Sequence, residues 1–202
     1  MAKALPPKGF ASARLRLWRI PTGTRFGRIH LERHPDPLGF GKAPSRFSDP
    51  RRRPAKNRFG VLYLGESLHV CFAEAVLRDR RDGAIGDLPI EESELRSRRY
   101  AEVAVADPLE MVDLRGNAAI QMGVPSDVAR ASDQGPARPW ALAFHQHPRQ
   151  PDGIAYPSRL NGQTNLAVFD RAIAKLTVAA TMPLLDAPRL PGVLDEFEVS
   201  LV

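Results

Sequence analysis

Nineteen prolines scattered through 202 residues constrain this chain's fold more than any other feature. Proline has no backbone N–H and its ring clashes with the preceding turn, so it interrupts helices and gathers in turns and at strand ends. The spread predicts short elements joined by many turns, with few long helices. Hydrophobic residues make up 43% of the chain, enough for a real core, which excludes wholesale disorder. The length suits one domain, expected over residues 14–202 after a flexible stretch at 1–13.

Local patterns divide that domain. Residues 15–20 alternate apolar and basic side chains and read as a strand. Residues 21–59, rich in Gly, Pro and Arg, read as one long loop region of the kind that is usually functional or mobile. Gly60-Val61-Leu62-Tyr63-Leu64-Gly65 is a buried strand closed by glycines, and Ser67 is placed to cap a helix from residue 68 to about 80. Residues 87–99 form a charged connection. Strands are expected at 100–105, 109–114, 153–156, 165–169, 176–185 and 197–202, with helices at 117–122 and 140–147. Strands interspersed with a few helices predict a mixed α/β or α+β domain around a twisted sheet.

The net charge is +6. Residues 42–58 carry Lys42, Arg46, Arg51, Arg52, Arg53, Lys56 and Arg58 against Asp49, seven minus one, and so match the whole excess. Such a loop can meet phosphate of any kind, a dinucleotide's pyrophosphate included. It lacks the interleaved aromatic residues of a single-strand stacking surface. A single cysteine, Cys71, excludes an intrachain disulfide and fits a reducing compartment. With no apolar leader and no run of about 18 apolar residues, the expectation is a cytoplasmic protein without a membrane span.

Three places carry chemistry. On a helix starting near residue 68, Val70, Ala73 and Leu77 share a face, and Glu74 falls on the same apolar stripe. A carboxylate there is costly unless it is paired or lines a cavity; the ordinary alternative is an edge position with Glu74 bridged to Arg78 one turn on. Arg46 sits in Pro44-Ser45-Arg46-Phe47-Ser48-Asp49-Pro50, where Phe47 can anchor the loop while Arg46 projects into a cleft. Its planar fork suits a pyrophosphate, although any one of seven basic residues here can be surface. Asp152-Gly153-Ile154-Ala155-Tyr156-Pro157-Ser158-Arg159 delivers Ser158 into a turn continued by Asn161, Gly162 and Asn165. No Gly-x-Ser-x-Gly elbow surrounds Ser158, so it reads as a hydrogen-bonding serine or a turn serine satisfying its own backbone. His145 and His147 stand two apart and make a poor metal pair, and no P-loop or Gly-x-Gly-x-x-Gly fingerprint is present.

Taken in order, four stretches resemble the RES domain, a family named for its Arg, Glu and Ser that includes toxins of RES–Xre toxin–antitoxin systems. They are Leu17-Trp18-Arg19; Ser45-Arg46-Phe47-Ser48; Val61-Leu62-Tyr63-Leu64-Gly65-Glu66-Ser67 with Ala73-Glu74-Ala75-Val76; and residues 152–165 followed by Ala167-Val168-Phe169. The resemblance implies an ADP-ribosyltransferase-like fold and action on NAD, by phosphorolysis with inorganic phosphate, by hydrolysis, or by transfer of ADP-ribose to a protein. It implies Arg46, Glu74 and Ser158 as catalytic residues. Arg19 and Tyr63 join Arg46 and Ser158 in binding NAD, with no metal. It also implies an Xre-like helix-turn-helix antitoxin as partner and is compatible with a homodimer. Ile20 stands where many members have a tyrosine, and Ser45-Arg46-Phe47-Ser48 where many have Gly-Arg-Trp-Asn.

The chemistry suits these residues. Nicotinamide leaves as a neutral molecule, so no strong acid is needed, and the transition state is an oxocarbenium ion at the ribose C1′, as in glycoside cleavage. Glu74 can stabilise that charge. The rival readings are an ADP-ribosyltransferase with the same site and a protein acceptor, a nucleic-acid-binding module using residues 42–58, and a degenerate domain that only binds an antitoxin-like partner.

Overall fold

Eight strands form one sheet in the order β1-β6-β7-β8-β3-β2-β5-β9 in a computed structural model that describes residues 5–202. They are β1 (Leu17–Ile20), β2 (Arg25–Leu31), β3 (Val61–Gly65), β5 (Arg98–Val105), β6 (Leu109–Asp113), β7 (Gly153–Pro157), β8 (Thr164–Phe169) and β9 (Leu176–Pro183). All neighbours run antiparallel except β6 and β7. A separate parallel pair joins β4 (Leu88–Ile90) to β10 (Val199–Leu201). The helices are short: α1 (Leu68–Phe72), α2 (Glu92–Arg96), α3 (Ala118–Gln121), α4 (Ser126–Arg130), α5 (Ala137–His145) and α6 (Leu190–Glu196). None of the described helices is long and apolar enough to cross a membrane.

Side chains alternate across the sheet and so divide the core. Leu62 and Leu64 of β3, with Leu166 and Val168 of β8, point to one face and pack with Ile20 of β1 and Leu176 of β9. β1 and β9 are the two outermost strands, so a core they share requires the sheet to curl over that face. On the opposite face lie two further cores. One gathers Val61, Ala167, Phe169, Ile154 and Tyr156 under Trp140 and Phe144 of α5. The other gathers Leu68, Phe72, Val76 and Leu77 of the α1 region with Leu190 and Val193 of α6. The strip of sheet between these two cores is the floor of the site.

Close approaches are built on glycine. A Cβ on Gly153 would stand 2.3 Å from the Ala167 carbonyl oxygen and 2.6 Å from Met111 Cε, with backbone on one side that cannot yield. Gly153→Ala is expected to lose stability at the upper end of about 1–3 kcal/mol. Thermal denaturation should show a midpoint several degrees lower.

Several sequence expectations are corrected. β2 lies within the stretch read as loop, and β4 and α2 lie within the connection at 87–99. The helix expected to reach residue 80 ends at Leu77. The flexible stretch expected at 1–13 begins in residues outside the described ones. Within its described part, Phe10 is buried edge-on against Trp140 and Phe144, with ring centroids 5.2 and 5.6 Å away.

Candidate active site

The helix after β3 starts where Ser67 Oγ accepts from the Val70 N–H at 3.2 Å. After Phe72 it widens into a π-turn, Ala73–Leu77, in which the Arg78 N–H reaches back to the Ala73 carbonyl at 2.7 Å. Such single wide turns recur at functional sites because they redirect side chains. Val70, Ala73 and Leu77 are buried, and Glu74 emerges half-buried over the sheet floor. Arg78 does not bridge it: its Nε donates to the Glu74 backbone carbonyl, at 3.3 Å. The carboxylate is instead held by two donors from the sheet. Ser158 Oγ donates to Glu74 Oε1 at 2.7 Å, and Asn165 Nδ2 donates to the same oxygen at 2.9 Å. Among the described residues no hydrogen bond takes the second oxygen, Oε2, which leaves it for a ligand.

Ser158 follows β7 and begins the tight turn to β8. Its N–H donates to the Gln163 carbonyl at 2.7 Å, and its Oγ accepts from the Leu160 N–H at 3.1 Å while donating to Glu74. It is therefore both a turn serine and a partner of the carboxylate. Asn165 opens β8 opposite Gly65 and Tyr156. Its role has no local signal, since the residue it holds is 91 positions away.

Arg46 arrives from the other core. Phe47 is fully buried, edge-on to Tyr156 at 4.8 Å, and fixes the loop. The Phe47 N–H donates to Tyr63 Oη at 3.0 Å, and Ser45 Oγ shares a hydrogen bond with that hydroxyl at 2.9 Å. Arg46 is 9% exposed, and its buried Nη1 meets no hydrogen-bond partner among the described residues. A buried guanidinium nitrogen left unpaired is costly and calls for an anion that supplies the missing acceptor. Burial raises the Tyr63 phenol above its usual range, partly offset by Ser45, the Phe47 N–H and the Arg46 and Arg138 guanidiniums. Burial lifts the Tyr156 phenol further, with Tyr63 and Glu74 adding and Arg46 opposing. Both phenols stay neutral at physiological pH. The Cys71 thiol, pushed up to about 12 by burial first, with Glu74 contributing, is no nucleophile.

A second clasp holds the arginine loop. Asp49 is buried; it accepts from the Phe59 N–H at 3.2 Å and from the Arg51 N–H and Nε, at 2.9 and 2.8 Å. Phe59 stacks on His145 at 4.2 Å, and burial first, then Arg171, lowers that imidazole to about 4, so the ring is neutral. Burial pushes the Asp49 carboxyl up, but the Arg51 guanidinium and the two N–H donors outweigh it and leave it below its ordinary value of 3.8. A depressed native pKa adds stability above the unfolded value, and that stability is lost as pH falls through the native one. Urea midpoints are therefore expected to fall below about pH 4 in the wild type, and less steeply in Asp49→Asn.

The structure thus brings together Arg46, Tyr63, Glu74 and Ser158, with Tyr156, Asn165 and Arg138 added. It does not bring Arg19 to them. Arg19 is exposed on the edge strand β1 opposite Glu110, which is hydrogen-bonded to Asp152. Asp152 precedes Ser158 by six residues of mostly extended chain, about 20 Å. Nor does the basic segment form one charged face: Arg46 is buried, Arg51 is paired with Asp49 and Arg58 has a buried Nε, whereas Arg52, Arg53 and Lys56 face solvent. Among the described residues no group of three or more His, Cys, Asp or Glu could hold a metal ion.

A curled mixed α/β sheet of this kind is an ADP-ribosyltransferase-like fold. A chain of the crystal structure of the M. tuberculosis MbcT–MbcA toxin–antitoxin complex superposes on it with a TM-score of 0.62, over 89% of this chain and 91% of that one. At 19% identity this is a likeness of fold. The chain belongs to the RES domain family, whose pattern matches residues 16–189. It is also 40% identical over 127 residues to the probable toxin y4kH of Sinorhizobium fredii, across 62% of this chain and all of that protein.

Proposed function

We propose that this protein is an NAD-degrading enzyme that cleaves the nicotinamide–ribose bond, and that it is the toxin of a cytoplasmic toxin–antitoxin pair, restrained by an Xre-like helix-turn-helix antitoxin. The observation that carries the reading is the Glu74 carboxylate, held through one oxygen by Ser158 and Asn165 with the other taken by no donor among the described residues, across the floor from Arg46, whose buried Nη1 has no partner among those residues. Family membership and the toxin relatives support the same reading.

In this reaction the C1′–N bond breaks and its electron pair leaves with neutral nicotinamide. Glu74 stabilises the oxocarbenium ion, with Ser158 and Asn165 keeping the carboxylate in place at the moment charge develops. An oxygen of inorganic phosphate, or of water that gives up a proton, then bonds to C1′. Arg46 holds the pyrophosphate, and Tyr63 fixes the arginine loop. The test is incubation with NAD, with and without inorganic phosphate, following nicotinamide and ADP-ribose species by chromatography and mass. Loss of NAD that requires phosphate identifies a phosphorylase, and loss without it a hydrolase. NAD left intact in both overturns the reading in favour of a protein acceptor or a binding-only domain.

A further inference from the structure

Arg138 is a cation beside this site that no motif announced. It lies in the first turn of α5, which Pro136 precedes, and is half-buried. Its Nε donates to the Ser45 carbonyl at 3.0 Å, on the residue just before Arg46. Among the described residues no acceptor takes either of its Nη groups and no carboxylate pairs with it. Arg46 next door is likewise unpaired, with Nη1 buried. Both guanidiniums act on the same Tyr63 hydroxyl, which ties down the turn that carries Arg46. Two like charges that act on one hydroxyl repel each other, and the arrangement becomes favourable once an anion bridges them. The anion must be compact and carry more than one charge, because two planar forks present several N–H donors to it.

We infer that Arg46 and Arg138 together form a seat for a phosphate dianion, and that Arg138 sets the affinity of the site for phosphorylated ligands. The seat fits the pyrophosphate of a dinucleotide or a free orthophosphate serving as acceptor. The inference rests on the NAD-cleaving reading for its kinetic arm only.

The experiment has two arms, run on the wild type and on Arg138→Gln and Arg138→Lys, with thermal denaturation to verify folding. In the first, calorimetric titration with inorganic pyrophosphate and, separately, with orthophosphate should show binding that Arg138→Gln weakens at least about tenfold. Arg138→Lys, which keeps the charge but not the fork, should fall between. Tighter pyrophosphate assigns the seat to the substrate's own diphosphate, and tighter orthophosphate to the acceptor. If the wild type binds neither, or binds both equally well after substitution, the inference is overturned. In the second arm, where pyrophosphate is the tighter ligand, Arg138→Gln should raise KM for NAD at least about tenfold and leave the cleavage of nicotinamide riboside, which has no phosphate, nearly unchanged; where orthophosphate is the tighter, it should raise KM for phosphate at least about tenfold with either substrate. A loss of kcat on both substrates with neither KM changed would make Arg138 only a prop for the Ser45 carbonyl. Pyrophosphate binding that depends on Arg138, in a protein that leaves NAD intact, would keep the seat and remove the NAD reading.

Discussion

Replacing Glu74 with glutamine is expected to slow nicotinamide release from NAD by about 10²–10³-fold, with little change in thermal midpoint. Glutamine keeps the shape of the side chain, and its amide oxygen still accepts from Ser158 Oγ and Asn165 Nδ2, which now meet at Glu74 Oε1. What disappears is the negative charge next to C1′. Steady-state rates with NAD near saturation, beside circular dichroism of the same preparations, separate this from unfolding. A variant within about threefold of wild type would remove the carboxylate from the chemistry, because the lost stabilisation would be well under 1 kcal/mol.

The second large effect is expected at Phe47. Its ring is fully buried against Tyr156, and truncation leaves a cavity in the core beneath α5. Phe47→Ala should cost about 3–5 kcal/mol, a drop in thermal midpoint of roughly 10 °C for a chain of this size. The same change lets the residue 47 N–H drift from Tyr63 Oη and unseats Arg46, so below the unfolding range KM for NAD should rise more than kcat falls. Phe47→Leu, which refills most of the volume, should recover much of both. Stability lost with KM untouched would mean that the loop keeps Arg46 in place without its anchor.

These two residues differ in how plainly the sequence announced them. Glu74 was legible because a carboxylate on an apolar helical stripe is rare enough to need a reason, and the strand before it is bracketed by glycines. Arg46 was one of seven basic residues, and only Phe47 beside it hinted that this one turns inward. Ser158 invited two readings, and its hydroxyl satisfies both at once. Arg138 left no trace and Asn165 showed only as a turn residue, since their partners Ser45 and Glu74 lie 93 and 91 positions away. Arg19 misled because strand membership says nothing about which end of a strand faces a cleft. Among the elements, β5 to β9 showed alternation or continuous apolar runs. β2 did not: Gly27 packs beneath Cys71, and Arg28 and His30 occupy inward positions by donating to, or pairing with, backbone carbonyls. α2, α4 and α6 are too short for a helical period to register.

The sheet floor between the two cores acts as a ruler. Glu74 is carried by one packed half and Arg46 by the other, and among the described residues no hydrogen bond or ion pair joins them directly. Their separation is set by the strands β3 and β8 on which both halves rest, and so by the twist of the sheet. A substitution on that floor that alters the twist would detune catalysis while every ligand contact remained in place. Anything that spans this floor, substrate or protein, fastens two half-cores together, and would raise the unfolding temperature in step with its affinity.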